Sequence, residues 1–321
     1  MEANPDNPQN AQENGHFLEQ VSAYAANPRT PAQKAHRNNV RAVSARWRTL
    51  AAALLISAAA PVPAGVPQPM FFFYGEARDT FGWPFQAAAG ATVVVRQGTN
   101  ECASFSIKGP LYPGVNFVLP IYLQDANANI AYSDKAVRPG STVQILLIQG
   151  GVTQDLLGGS GGYVVGEAAR FSNILLTAGT DLDQDGLPDA WERELIAYLD
   201  DPRYTTIWDI NPNDDADGDG VSNLNEFLAG TFAFLKDDYF RIDFLRPAGD
   251  LLELGFLSVP GKAYSLLEST NVVSPVWSAA FYAATPLGPL QTDAFSGSGD
   301  WMSVFPARTN RGGQFRLQVK P

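Results

Sequence analysis

Two windows, Asp181–Glu192 (DLDQDGLPDAWE) and Asp215–Glu226 (DADGDGVSNLNE), follow one plan, 34 residues apart. Oxygen-bearing side chains stand at positions 1, 3, 5, 9 and 12 of each. They are Asp181, Asp183, Asp185, Asp189 and Glu192 in the first, then Asp215, Asp217, Asp219, Asn223 and Glu226 in the second. Gly186 and Gly220 hold position 6. From Asp181 to Glu226 there are 14 acidic residues against Arg193 and Arg203, a net charge of −12 in a chain whose formal charge is −11. Nearly the whole imbalance therefore lies in 46 residues, and this segment parts two stretches of quite different character. That partition decides how the rest of the chain is read.

Carboxylates crowded into one loop repel, each close pair costing on the order of 1 kcal/mol even in water-like surroundings. A divalent cation turns that repulsion into attraction. Calcium takes about six to eight hard oxygens at flexible geometry, from loop positions 1, 3, 5, 7, 9 and 12 around a glycine turn. Both windows fill every side-chain position, and the carbonyls of Leu187 and Val221 supply position 7. Position 9, Asp189 or Asn223, is expected to act through water. A solvated acidic turn would explain the Asp and Gly content, but not Gly at position 6 and Glu at position 12 in both copies. Two Ca2+ ions are expected, with five acidic ligands in the first loop and four in the second.

After each loop the apolar spacing turns helical: Trp191, Leu195, Tyr198 and Leu199, then Leu224, Phe227 and Leu228. Gly230 is a natural stop. These residues are read as core packing one helix on the other, with Trp191 as a sugar-stacking platform the alternative. NILLTAGT (173–180) reads as strand and turn, so no helix precedes the first loop, and the segment between the loops has room for at most a short helical turn. The spacing is that of an EF-hand loop, but an EF-hand pair places a branched apolar residue at position 8. Here position 8 is Pro188 or Ser222, and Pro188 has no N–H for a bridge between loops. The form D-x-D-x-D-G-[LV]-[PS]-[DN] more closely resembles thrombospondin type 3-like calcium repeats of exported bacterial proteins. Dockerins also duplicate calcium loops, but positions 10 and 11 here (Ala190 and Trp191, then Leu224 and Asn225) repeat no recognition pair.

On either side, short β-branched and aromatic runs alternate with Gly, Pro, Asn and Asp turns. The expected fold is mainly β, with two β-sandwich domains, residues 65–177 and 236–321, flanking paired loops with two short helices at 178–235. In the first flank, Gly75, Asp79, Gly82 and Pro84, the GATVVV run from Gly90 and Gly114 resemble the transthyretin-like sandwich of carboxypeptidase regulatory-like modules. That resemblance implies a strand and turn over 75–84, and a structural or binding role. The second flank carries a Y-x-L-x-x-S-T strand with a following tryptophan (Tyr264, Leu266, Ser269, Thr270 and Trp277), a pattern similar to the ends of several exported bacterial proteins.

Residues 1–64 read as a leader and signal peptide. TLAAALLISAAA (49–60) is an apolar run of 12 after Arg41, Arg46 and Arg48, and Val62 and Ala64 fit cleavage after Ala64. A bilayer span needs about 20 apolar residues, so no membrane span is expected in the mature chain. Translation starting at Val40 or Val43 would leave a signal peptide of ordinary length. Cleavage would leave 257 residues at −13, and would remove both histidines, His16 and His36. That excludes histidine-dependent nucleophilic catalysis and His-ligated zinc. One cysteine, Cys102, allows no internal disulfide.

The expected function is a secreted or cell-surface calcium-binding structural module, located outside the cell or in the periplasm. A carbohydrate-binding or adhesion protein, with polysaccharide or another surface protein as partner, is the alternative. Third is a glycan-active enzyme using paired carboxylates, although Glu76, Asp79, Glu101, Asp125, Asp155 and Glu167 show no informative spacing. Nucleic acid is disfavoured by the acidic balance.

Overall fold

The β-branched and aromatic runs on both flanks form strands, and among the described residues the two α-helices begin within the acidic segment; the protein is mainly β. A computed structural model describes residues 69–124, 133–307 and 313–320, all within the unit Gly65–Pro321. The leader, its apolar run and Asp125 lie outside the described residues.

The first flank holds strands β1 (Phe71–Arg78), β2 (Ala91–Gln97), β3 (Asn100–Ser106), β4 (Phe117–Ile121), β5 (Thr142–Gln149), β6 (Val152–Gln154), β7 (Tyr163–Val164) and β8 (Phe171–Thr177). Order β4-β1-β8 makes one sheet, and β3-β2-β5-β6, with β7 on β5, the other. Both feed one core. Phe117, Leu119 and Ile121 of β4 and Val143, Ile145 and Leu147 of β5 point inward at period two and are buried. In β2 the alternation fails because Val94 is buried along with Val93 and Val95. β1 runs antiparallel to β4 but parallel to β8, from Phe72 opposite Phe171 to Arg78 opposite Thr177. Gly75 lies at that parallel seam, where a Cβ would stand 1.8 Å from the Ile174 carbonyl oxygen. The strand and turn expected over 75–84 are present. The turn after β1 is pinned by the Asp79 carboxylate, which accepts the N–H groups of Phe81 and Trp83 at 2.9 Å each.

Chain order continues with helix α1 (Asp189–Leu199), a single 3-10 turn at Ile207–Asp209 and helix α2 (Asn223–Ala229). Leu187, Trp191, Leu195, Tyr204, Ile210 and Phe227 make a second small core, in which the Trp191 and Phe227 rings meet edge to face at 5.9 Å. Gly230 ends α2 at φ +80°. Tyr198 departs from its expected core position: it is 63 % exposed. Its ring stacks on Phe234 at 4.5 Å instead.

The second flank holds β9 (Phe244–Ala248), β10 (Leu251–Leu257), β11 (Ala263–Ser269), β12 (Ser278–Ala279), β13 (Tyr282–Ala283), β14 (Leu290–Gln291), β15 (Phe295–Ser296), β16 (Trp301–Pro306) and β17 (Gln314–Val319). β14-β13-β16-β10-β9 forms one sheet; β12-β11-β15, with β17 on β11, forms the other. Phe256, Tyr264, Leu266, Tyr282 and Leu317 share the core between them. Two runs are shorter as strands than their composition suggests. FRIDFL is strand only from Phe244, its Phe240 and Ile242 packing on the core as loop residues, and VWSAAFYA breaks into β12 and β13. No described helix is long and apolar enough to cross a membrane.

Candidate metal centre

Each acidic window folds into a tight loop, and the two loops are wired alike. The N–H of position 9 closes onto the carbonyl just before the loop, Asp189 to Thr180 at 2.9 Å and Asn223 to Asp214 at 2.8 Å. The position 1 carboxylate accepts loop N–H groups: Asp181 from Asp185 and Gly186 at 3.2 Å each, Asp215 from Gly218, Asp219 and Gly220 at 2.7, 3.1 and 2.8 Å. The position 5 carboxylate accepts the N–H of position 7, Leu187 to Asp185 at 2.9 Å and Val221 to Asp219 at 2.7 Å, which fixes the main chain at position 7. These local bonds curl the backbone until three carboxylates converge. In each loop one oxygen from each of positions 1, 3 and 5 lies within 4.8 Å of the other two. Each acidic cluster can hold a metal ion.

Each helix supplies a further carboxylate, outside the group of three that lies within 4.8 Å. Glu192 lies in the first turn of α1 and Glu226 in that of α2, both with no exposed surface. Burial pushes each up to about 8, and the repulsion of Asp183 and Asp185 on Glu192, and of Asp217 and Asp219 on Glu226, adds to it. Burial, reinforced by neighbouring carboxylates, also raises Asp183, Asp185 and Asp217.

Whether these residues fit a cation is tested by their buried atoms. Among the described residues, nine buried side-chain oxygens lack a hydrogen-bond partner, and eight belong to these two loops. They are one oxygen each of Asp183, Asp185, Asp217 and Asp219, and both oxygens of Glu192 and of Glu226. A buried polar atom without a partner costs about 1–3 kcal/mol, more when charged. Eight such atoms, shared four and four between matching loops, suit a hard cation that accepts oxygen alone. The residues fit the group.

Position 9, expected as a water-linked ligand, is also bonded within the loop. Asp189 Oδ1 accepts the Leu182 N–H at 2.8 Å, while Oδ2 accepts Thr180 Oγ1 at 3.1 Å and Arg193 Nη2 at 3.0 Å. Burial works to raise its pKa, but those bonds outweigh it and hold the carboxyl below its ordinary range. Asn223 Oδ1 accepts the Ala216 N–H at 3.2 Å, and its Nδ2 donates to the Asn211 carbonyl at 2.8 Å. Both residues brace the loop by holding the N–H of position 2. No isolated β-bridge joins the loops among the described residues.

Both flanks grip the far end of α2. Trp83 Nε1, from the turn after β1, donates to the Gly230 carbonyl at 3.3 Å, and Lys262 Nζ, from the turn before β11, donates to the Leu228 carbonyl at 2.7 Å. Lys262 is fully buried beside the Arg78–Glu76 ion pair, whose Nε–Oε1 distance is 2.5 Å. Burial pushes the Lys262 ammonium down to about 7 and Arg78 pushes the same way, while Glu76 and Asp79 oppose them. The sequence gives little sign of this junction, because Lys262 and Trp83 stand in stretches, PGK and DTFGWP, that read as turns. Two acids considered for glycan chemistry are committed here: Glu76 to Arg78, and Asp79 to its turn.

Neither protein-family models, curated proteins nor solved structures give a match to this chain.

Proposed function

We propose that the protein is an exported, calcium-binding structural module, in which one Ca2+ per loop orders the segment between two β units and fixes how they meet. The eight buried, unpartnered carboxylate oxygens carry this reading. The donor set supports calcium over softer metals, since it contains no sulfur or imidazole. Asp181, Asp183, Asp185 and Glu192 would hold one ion, and Asp215, Asp217, Asp219 and Glu226 the other, with the carbonyls of Leu187 and Val221 completing the sets. The likeness to thrombospondin type 3-like repeats belongs to the same reading, as does the transthyretin-like likeness of the first flank, and export rests on the leader sequence.

The contacts of α2 give the ion something to organise. Glu226 stands at its start and the two flank donors at its end, so ordering the loop orders the helix both flanks hold. At a Kd of about 10⁻⁵ M, millimolar calcium would stabilise each site by roughly 2.7 kcal/mol, a large share of a typical folding free energy. Calorimetric titration with calcium, paired with thermal melts in calcium and in chelator, tests the reading. Two binding events are expected, with a melting point well above the chelator value. Glu226→Gln should remove one event and leave the other. Absence of binding at millimolar calcium would sink the proposal.

A further inference from the structure

A cleft of about 170 Å³ opens between the turn after β1, helix α1 and the segment that follows α2. Five aromatic residues line it, Phe81, Trp83, Trp191, Phe232 and Phe234, together with Glu194 and no cationic side chain. Three of the rings stay well exposed: Phe81 and Trp83 at 37 % each and Phe232 at 41 %. Trp83, Phe232, Phe234 and Tyr198 run as one row of rings, with successive centroids 6.3, 5.4 and 4.5 Å apart. Thr231 Oγ1, the ninth buried oxygen without a partner, is in the wall.

Exposed rings around a lone carboxylate suit a cation better than a neutral ligand. Aromatic faces carry negative potential and attract ammonium and guanidinium groups, most strongly when these are desolvated. Glu194 supplies a counter-charge. A sugar would ask for several polar groups around one flat platform, whereas the side chains here offer two. The surroundings agree, for helix α1 in its wall belongs to a segment of net charge −12, of which two divalent ions would cancel only four. Such a field draws in basic partners. We propose that this cleft receives the guanidinium or ammonium group of an arginine or lysine presented by a partner protein. It is separate from the metal clusters and does not depend on which ion they hold.

The test uses the purified full chain in calcium, with the peptide acetyl-GRGRGRG-amide and its control acetyl-GQGQGQG-amide, followed by tryptophan fluorescence and calorimetry. The arginine peptide should bind and shift the fluorescence, and the glutamine peptide should not. Phe232→Leu, which removes a ring but keeps an apolar side chain, should weaken binding about tenfold without moving the melting point. Glu194→Gln should weaken it at least severalfold. Undiminished binding by Phe232→Leu would assign the affinity to the diffuse acidic surface and overturn the proposal. So would no binding of the arginine peptide, or a Phe232-dependent response to cellohexaose in its place.

Discussion

Gly186 and Gly220 adopt φ of +98° and +99°, and nothing lies within 4 Å of where a Cβ would stand. Their identity is set by backbone conformation, since space is free. Gly186→Ala should therefore cost about 1–2 kcal/mol, read as a shifted urea midpoint with unchanged slope. Position 4 offers the reverse case. Gly218 sits at φ +78°, but its counterpart Gln184 is held at +62°, so Gln184→Gly should stabilise the protein by about 1 kcal/mol. Ligand and brace are separable in the same way. Asp189→Ala removes the acceptor for the Leu182 N–H and should cost about 1–3 kcal/mol, with or without calcium. Glu192→Gln should leave the chelated protein folded and abolish one calcium event. The carboxylates that converge were legible from their spacing alone. The brace was not, because position 9 carries the same residue types whether it faces the cluster or the backbone.

At the scale of elements, α2 is a helix of seven residues, too short to persist alone. It persists because Phe227 fills the core against Trp191 and because its last carbonyls are taken by Trp83 and Lys262. Phe227→Ala should cost about 3–5 kcal/mol and lower the melting point in calcium and in chelator alike. Gly82→Ala acts on the same contact from the other side: the new methyl would fall 2.9 Å from the Phe227 carbonyl oxygen, at a φ of +74°. Helix periodicity marked α1 and α2 correctly in the sequence, and strand-rich composition marked both flanks. Composition failed where a run was interrupted. FRIDFL and VWSAAFYA have strand residues, but much of their apolar content packs from loops, and period-two counting cannot see that difference.

For the molecule as a whole, the junction around Lys262 joins the two flanks to the loop segment. Its folded-state value near 7 lies below its ordinary 10.5, so between those limits the unfolded chain binds the extra proton. Stability should then rise with pH from about 7 to 10.5 on this lysine's account. The groups facing it are Arg78, Glu76, Asp79 and the Leu228 carbonyl. Lys262→Met should flatten that rise in urea midpoints taken at pH 7, 8, 9 and 10; an equal rise in the variant would acquit the lysine. None of this was legible beforehand. A buried lysine and a solvated one look identical in a turn, and their separation arises only when distant segments close over one of them. The parallel seam of β1 and β8 has a further consequence, which is mechanical. Tension applied at the start of β1 and the end of β8 pulls two parallel neighbours along their length, so the hydrogen bonds from Phe72–Phe171 to Arg78–Thr177 are loaded together in shear. They would have to break at once instead of unzipping singly, which makes the first flank a stiff anchor against a pull transmitted through the loops.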